Sequence, residues 1–452
     1  MSEKYLITTF GCQMNVHDSE KLSGMLEGLG YVKTDQPKSA DLILINTCCV
    51  RENAENRTYG HLGTLKVLKK AKPNLILGVC GCMAQEPNEV EKIKKTFRHV
   101  DLVFGTHNQH QLPELLLQVK QERRRVFEVW ESAGEIYEGI PVKRESSFKA
   151  WVTIMYGCNN FCAYCIVPYV RGRERSREPE IILAEIRALV TDGVQEVTLL
   201  GQNVNSYGKD FHESNWNFAK LLQKIVRETG VKRIRFQTSH PKDLSEELIE
   251  VIANEPVVCH HLHLPVQAGS SRILELMNRN YTKEDYLNLL RKIKEKIPDI
   301  ALSTDVIVGF PSETQADFDE TIDLVKQVRY DSAFTFIYSP RKGTPAVDLI
   351  EQVPEMESKQ HLRQLIELQN QISLEKNQGW VGRATEILVE GPSEKKPKMW
   401  SGRNPQNKLV HFIPEIILKP GDLVWVKITA AHNFTLEGKV LLEGDNLSTI
   451  AP

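Results

Sequence analysis

At 452 residues the chain is too long for one compact core and predicts two or three domains. Its 57 Lys and Arg against 59 Asp and Glu, a formal charge of −2, exclude a globally basic nucleic-acid binder, so any nucleic-acid surface must be local. No apolar run is long enough to span a bilayer, and residues 1–10 lack the layout of a secretory signal, so the odd set of nine cysteines, mostly in glycine-rich turns, suits metal ligation in a reducing, cytoplasmic setting better than a disulfide framework.

In chain order, short apolar runs first alternate with helical patterns, which predicts an open parallel sheet. Strands are expected at 5–10, 42–45, 75–79 and 102–104, with helices at 17–29, 53–69 and 112–121 completing a doubly wound unit over 1–122. The charged, irregular stretch 123–147 reads as a linker, and its run Arg123-Arg124-Arg125 as a solvated helix end. Three strands end in cysteine, at Gly11-Cys12, Asn46-Thr47-Cys48 and Gly81-Cys82. Open α/β sheets place their crevice at the carboxyl edge, so Cys12, Cys48 and Cys82 can converge there, although buried strand cysteines are also common as core residues. Cys49, Cys80 and Cys259 are assigned to packing.

The loop Gly157-Cys158-Asn159-Asn160-Phe161-Cys162-Ala163-Tyr164-Cys165 places three thiols at C-x3-C-x2-C spacing after the first strand of a second βα region. A closed zinc site wants a fourth ligand, absent at motif distance, and no redox βαβ context surrounds Cys162 and Cys165. Three thiolates on a cubane leave one iron open to another ligand. The spacing, with aromatic Tyr164 before the last thiol, resembles the radical S-adenosylmethionine superfamily, in which S-adenosylmethionine chelates that iron and is cleaved to an adenosyl radical.

Later strands are expected at 196–200, 233–237, 259–264, 302–308 and 333–338, and helices at 179–191, 218–228, 245–254, 283–296 and 313–328. Six βα units over 148–376 suggest a partial (β/α)6 barrel. Its carboxyl-edge loops, 201–203, 238–241, 265–270 and 309–313, are polar and glycine-rich, and could form a pocket or be ordinary turns. Position at strand ends nominates Gln202, Ser239, Gln267 and Asp305 as S-adenosylmethionine contacts. The run 171–177 carries four arginines, suited to binding carboxylate or phosphate, or to pairing with Glu174 and Glu178.

Past Pro354 a long polar helix leads into 377–443, where β-like runs at 385–389, 409–413 and 423–428 predict a small antiparallel β-barrel. Nine Lys and Arg against six Asp and Glu between 379 and 442 make it locally basic. With Trp400 and Phe412 as expected exposed aromatics, it could hold RNA or cap the barrel.

Gly11-Cys12-Gln13-Met14-Asn15, Asn46-Thr47-Cys48, Gly81-Cys82-Met83-Ala84-Gln85, the three-cysteine loop and Ser401-Gly402-Arg403, in this order, resemble the radical S-adenosylmethionine methylthiotransferases. Gln13-Met14-Asn15 and Ile166-Val167-Pro168-Tyr169 are similar to the branch acting on isopentenyladenosine of tRNA. The resemblance implies a methylthiotransferase domain, a radical domain and a C-terminal TRAM domain that grips tRNA. It implies two [4Fe–4S] clusters, one auxiliary on Cys12, Cys48 and Cys82 and one radical on Cys158, Cys162 and Cys165. Where the family has serine or a similar residue after Asn-Thr-Cys, this chain has Cys49. S-adenosylmethionine would serve as methyl donor and radical source, and C2 of the adenine at position 37 in the anticodon stem-loop would receive the methylthio group. An aromatic C–H is neither acidic nor electrophilic enough for ordinary displacement, which is why a radical is required. An electron donor and a sulfur source are further implied partners. The sister enzymes acting on threonylcarbamoyladenosine, and a non-catalytic iron–sulfur RNA-binding sensor, are the alternatives.

Overall fold

The computed structural model describes residues 2–49, 52–212 and 215–442. The limits 1 and 443 of the expected first and last domains therefore lie outside the described residues.

The first unit is a six-stranded, fully parallel sheet, ordered β2-β1-β3-β4-β5-β6. Its strands are β1 (Lys4–Phe10), β2 (Val32–Lys33), β3 (Leu42–Thr47), β4 (Ile76–Cys80), β5 (Leu102–Phe104) and β6 (Val126–Glu128). Four helices, α1 (Gln13–Gly28), α2 (Glu52–Ala71), α3 (Pro87–Thr96) and α4 (Leu112–Glu122), connect them. β3 and β4 are wholly buried, as continuous apolar runs in a doubly covered parallel sheet should be. The order reverses at β1, leaving a switch-point crevice between the carboxyl ends of β1 and β3.

Two differences from the sequence reading have physical causes. α1 begins at Gln13 rather than near residue 17 because Cys12 stands at its N-cap, and the Asn15 side chain reaches back to the Cys12 N–H at 3.4 Å. Cysteine is not among the usual capping residues, so the start carries no sequence signal. The stretch 123–147 is not wholly linker, since Val126–Glu128 pairs with β5 as the edge strand. Arg125, read as solvated, instead donates to the carbonyls of Val100, Lys94 and Phe97.

The second unit holds β7 (Lys149–Thr153), a small hairpin-like pair β8 (Met155–Tyr156) and β9 (Arg175–Ser176), then β10 (Glu196–Leu200), β11 (Arg233–Phe236), β12 (His261–His263), β13 (Ala301–Val308) and β14 (Ser332–Ile337). Its helices are α5 (Val167–Arg171), α6 (Pro179–Thr191), α7 (Phe218–Thr229), α8 (Glu246–Asn254), α9 (Ser271–Leu276), α10 (Lys283–Lys296), α11 (Gln315–Val328) and α12 (Glu355–Gln378). Two parallel three-stranded sheets, β11-β10-β7 and β12-β13-β14, meet through the single bridge Ile234 to Val258. This is the expected partial barrel of six parallel strands.

The last unit closes as β15 (Ala384–Pro392), β16 (Trp400–Arg403), β17 (Leu409–Ile413), β19 (Thr435–Val440) and β18 (Leu423–Ala431). Its pairings are antiparallel except β17 with β19, which is parallel. Phe412 is fully buried in the barrel core and Trp400 packs against it, so neither is an exposed platform; the exposed aromatics are Trp425 and Phe434. Alternation along a strand only five residues long does not reveal which face meets the core.

This barrel caps the amino-terminal end of the six-stranded one. Arg233 donates to the Arg403 and Glu386 carbonyls, Arg235 to those of Asn404 and Pro405, and Lys408 pairs with Asp331 at 2.8 Å. Arg235 also holds Glu196 at 2.8 Å, both nearly inaccessible. Burial alone would raise the Glu196 pKa, but Arg235 and Lys149 overcome it and hold it below the ordinary value. Arg235→Met leaves that carboxylate with only Lys149 at 3.6 Å and removes two donors to the last domain, so it should cost about 3 kcal/mol in denaturant unfolding. Glu196 is held low, so the pair's contribution is present above about pH 4.3 and fades as the pH falls below it. Limited proteolysis of the variant should release the 380–442 segment early.

Candidate active site

The carboxyl edge of the first sheet gathers thiols. Register pairs Phe10 with Thr47 and Asn46 with Cys80, so the turns carrying Cys12, Cys48 and Cys82 leave neighbouring strands at one level. Asn15 and Asn46 lock the first two turns by a 3.1 Å side-chain bond, and Asn46 also donates to the Asn15 carbonyl at 2.8 Å. Gly81, at φ +91, leaves no room for a Cβ against Asn46 and Thr47, so the third turn needs glycine.

A hydrogen bond from Cys48 pulls the Cys12 thiol down to about 6 against the effect of burial. Cys49 does the same for Cys82 and is itself pushed up by that contact and by burial. Four thiols therefore stand in two linked pairs, and Cys49, read from sequence as packing, is one of them. Cys80 lies on the other face of the sheet, in a separate apolar cluster, and burial raises its pKa. Cys259 is likewise buried.

Arg171 reaches this site from the second unit. Its guanidinium is buried, with Nε donating to Cys82 Sγ at 3.2 Å and the fork to Asp18 at 2.7 Å. Burial opposes its charge, but Asp18 and the sulfurs hold its pKa above the ordinary value. The rest of the arginine run is mostly structural. Arg173 lies 4.2 Å over the Phe161 ring, Arg175 lies over Tyr156, and Arg177 is forked between Glu138 and Glu185.

The three-cysteine loop lies at the carboxyl edge of β7 and β8. Gly157, at φ +78, would put a Cβ into the Arg173 carbonyl, and its N–H donates to Gln202 Oε1 at 2.5 Å. Gln202 thus holds the loop. Ala163 N–H binds the Met277 carbonyl, Asn278 binds that of Phe161, and Phe161 itself sits at φ +46. Burial pushes the Cys158 thiol to about 11 and Cys165 to about 12. Arg279, 4 % exposed, places NH1 3.4 Å from Cys162 Sγ and 3.5 Å from the Tyr164 hydroxyl, while NH2 binds the Pro265 carbonyl at 2.8 Å. Among the described residues, no carboxylate hydrogen-bonds its guanidinium. Sequence reading missed Arg279; its one signal is the Asn278-Arg279-Asn280 turn, whose asparagines both adopt positive φ.

Among the described residues, two adjacent loops after β10 and β11 leave buried polar atoms without hydrogen-bond partners. They are Asn203 Oδ1, Asn205 Oδ1, Ser239 Oγ and His240 Nε2. Thr238 between them sits at φ +70, strain that a β-branched residue rarely bears. His240 Nδ1 accepts the Lys242 N–H, leaving Nε2 as the donor, and burial depresses its pKa to about 2. Gln267, at φ +74, is bonded through its backbone to Asp305 and Ile307. Asp305 faces His263, whose Nε2 lies 3.6 Å away.

These observations fit iron–sulfur clusters and a polar ligand. Buried guanidinium at each thiol group neutralises what a thiolate-ligated cluster carries, and each orphaned polar atom costs about 1–3 kcal/mol unless a ligand meets it. Among the described residues no group of three or more His, Cys, Asp or Glu side chains is drawn together as a single metal ion requires. A cubane, whose ligand sulfurs sit on separate irons, needs a wider cradle.

Residues 152–325 match the radical SAM superfamily, 380–441 the TRAM domain, and 4–105 the Uncharacterized protein family UPF0004. The fold is similar to a radical S-adenosylmethionine methyltransferase from Kitasatospora setae with cobalamin and a [4Fe-4S] cluster bound, at TM-score 0.56 and 16% identity over 77% of each chain. With its thiol loop at a parallel-strand edge, the chain is a radical S-adenosylmethionine enzyme by class.

The tRNA-2-methylthio-N(6)-dimethylallyladenosine synthase of Desulforamulus reducens is 57% identical over 98% of this chain and 96% of its own. That of Carboxydothermus hydrogenoformans is 56% identical over 97% and 99%, and that of Acetivibrio thermocellus 55% over 97% and 91%. The chain belongs to this family of tRNA methylthiotransferases.

The pairing of thiols separates Cys48 from Cys49. Were Cys48 the ligand of one of two clusters, Cys48→Ala should lose about half the iron bound by anaerobically reconstituted protein, and Cys49→Ala should retain it. The reverse pattern in an iron assay would move the ligand to Cys49.

Proposed function

We propose that this chain inserts a methylthio group at C2 of N6-isopentenyladenosine at position 37 of tRNA, in the cytoplasm, drawing on an electron donor and a sulfur source supplied by other components. The observation that carries the reading is the short helix α5. It leaves the loop of Cys158, Cys162 and Cys165 and ends in Arg171 against Cys82, so one element ties the two thiol groups together. A transfer that joins sulfur to a carbon radical needs both sites within one cavity.

Cys158, Cys162 and Cys165 would hold the radical cluster, and Cys12, Cys48 and Cys82 the auxiliary one. When bound, the clusters and S-adenosylmethionine supply the adenosyl radical and the methylated sulfur. Arg279 and Arg171 offset negative charge at the two thiol groups without adding an acidic proton, since arginine stays charged. Tyr164, packed beneath its loop, carries the hydroxyl that Arg279 meets. Ser239, with Asn203, Asn205 and His240, offers a hydroxyl, two acceptors and one donor, a set that suits the hydroxyl and amine groups of S-adenosylmethionine better than a bare anion. Gln202 acts by positioning the cysteine loop, and Gln267 by a strained backbone at the rim. No described helix is long and apolar enough to cross a membrane. The last domain, with Trp425 and Phe434 exposed, is the surface we assign to the anticodon stem-loop.

Reduced, anaerobically reconstituted enzyme given S-adenosylmethionine and stem-loops should add a methylthio group to isopentenyladenosine RNA and none to threonylcarbamoyladenosine RNA, read by nucleoside mass spectrometry. Product on the second RNA alone would place the chain with the sister enzymes. Neither product, with no 5′-deoxyadenosine, would favour an iron–sulfur sensor.

A further inference from the structure

The inner wall of the partial barrel carries an exposed aromatic ring and an under-coordinated carboxylate as cross-strand neighbours. In β13, Leu302, Val306 and Val308 enter the core beneath the helices, so alternation turns Ser303 and Asp305 to the opposite, inner face. Parallel register sets Asp305 beside Phe334 of β14 and His263 of β12 beside Ser303, which puts all four on one wall.

Phe334 is 52% exposed although it sits in the middle of a parallel strand, where side chains are ordinarily covered on both faces. Its ring meets His263 edge-on at 6.0 Å. His263 is fixed in turn, with Nδ1 3.0 Å from Ser303 Oγ. Among the described residues, none donates a hydrogen bond to the Asp305 carboxylate, and His263 Nε2 lies 3.6 Å from it. β14 pairs only with β13 in its sheet, and β7 only with β10 in the other, so the barrel is unclosed along the seam between β14 and β7.

We infer that this wall is the receptor for the everted purine of the RNA: the base stacks on Phe334 and its exocyclic N6–H donates to Asp305, while His263 holds the ring edge. This rests on the tRNA reading above and adds to it the residues that hold the reacting base. The chemistry is complementary. A planar heteroaromatic needs a π platform, and an N6-alkylated adenine keeps a single exocyclic donor for which a carboxylate is the natural acceptor. A base attached to a polymer must also enter sideways, and the open seam lies at β14. The adenine of S-adenosylmethionine offers the same groups. The orphaned polar atoms suited to that cofactor lie across the barrel, after β10 and β11, which leaves Phe334 and Asp305 to the RNA. Asp305 is thereby moved from cofactor contact to substrate contact.

The test is a protein–RNA double-mutant cycle by equilibrium binding, which needs no turnover. Reconstituted full-length enzyme is titrated with stem-loops carrying adenosine or an abasic site at the target position. Wild type should bind the abasic RNA about tenfold more weakly, the lower range for one base–aromatic stack, and Phe334→Ala should abolish that difference while Phe334→Trp keeps it. Binding of S-adenosylhomocysteine, measured by calorimetry, should be unchanged in Phe334→Ala, which also reports that the variant is folded. An abasic penalty undiminished in Phe334→Ala overturns the inference. So does weakened S-adenosylhomocysteine binding with the RNA coupling intact, which would give the ring to the cofactor. The wild-type product assay reports separately on the tRNA reading, because it can fail while the coupling stands.

Discussion

The Arg171 guanidinium, buried between the Asp18 carboxylate and the Cys82 sulfur, is the interaction on which the relation of the two thiol groups depends. A buried charge of this kind is stable only where its partners are in place, and here the partners come from a different unit of the chain. Ile166 and Val170 of the same short segment join the apolar cluster that holds Cys49, Cys82, Met83 and Ala84. The radical loop is therefore fixed to the first sheet by packing as well as by charge. Removing the guanidinium would leave Asp18 buried and uncompensated in the crevice, so its structural and electrostatic roles cannot be separated by one substitution.

Charge runs through both sites in the same way. At each, an arginine with little solvent access touches one sulfur directly and leaves the others to backbone and neighbouring thiols. Hydrogen bonds and positive charge at cluster sulfurs favour the more reduced, more negative state, so with clusters on the proposed cysteines these two arginines would be levers on potential. They differ in balance. Arg171 shares its charge with Asp18, whereas Arg279 has hydroxyl, carbonyl and sulfur partners, and more of its charge is offered to the Cys162 side.

How far the sequence could be read follows from how local each determinant is. α6 and α10 span the expected residues, since Pro179 at a first turn and the Thr282 with Asp285 capping box are local signals. The six cysteines nominated as cluster ligands stood out by spacing and by position at strand ends. β6 was hidden because three residues at a sheet edge beside an arginine run have no period to detect. Arg171 was legible only as one of four arginines in a run suited to binding an anion, and Arg279 not at all, because their sulfur partners are 89 and 117 residues away. The inner wall at Phe334 was equally out of reach, since its exposure depends on a barrel that fails to close. Cys49 shows the limit from the other side. It was seen, but adjacency to Cys48 hid that it turns toward Cys82 instead.

On the proposed function, the last domain would answer a geometric question that the thiol sites leave open, namely how a substrate far larger than the pocket is held while one base reacts. It docks on the amino-terminal end of the barrel, opposite the cysteine loop, and does so largely by accepting on its main-chain carbonyls the hydrogen bonds that Arg233 and Arg235 of β11 donate. Such contacts depend on backbone shape, so docking is insensitive to the side chains at 403–405. A rigidly capped barrel sets a constant distance between the exposed face of that domain and the carboxyl-edge loops. On the reading proposed above, a base everted from an RNA held by that domain would reach the inner wall from the side, through the open seam between β14 and β7, because the amino-terminal mouth of the barrel is already capped.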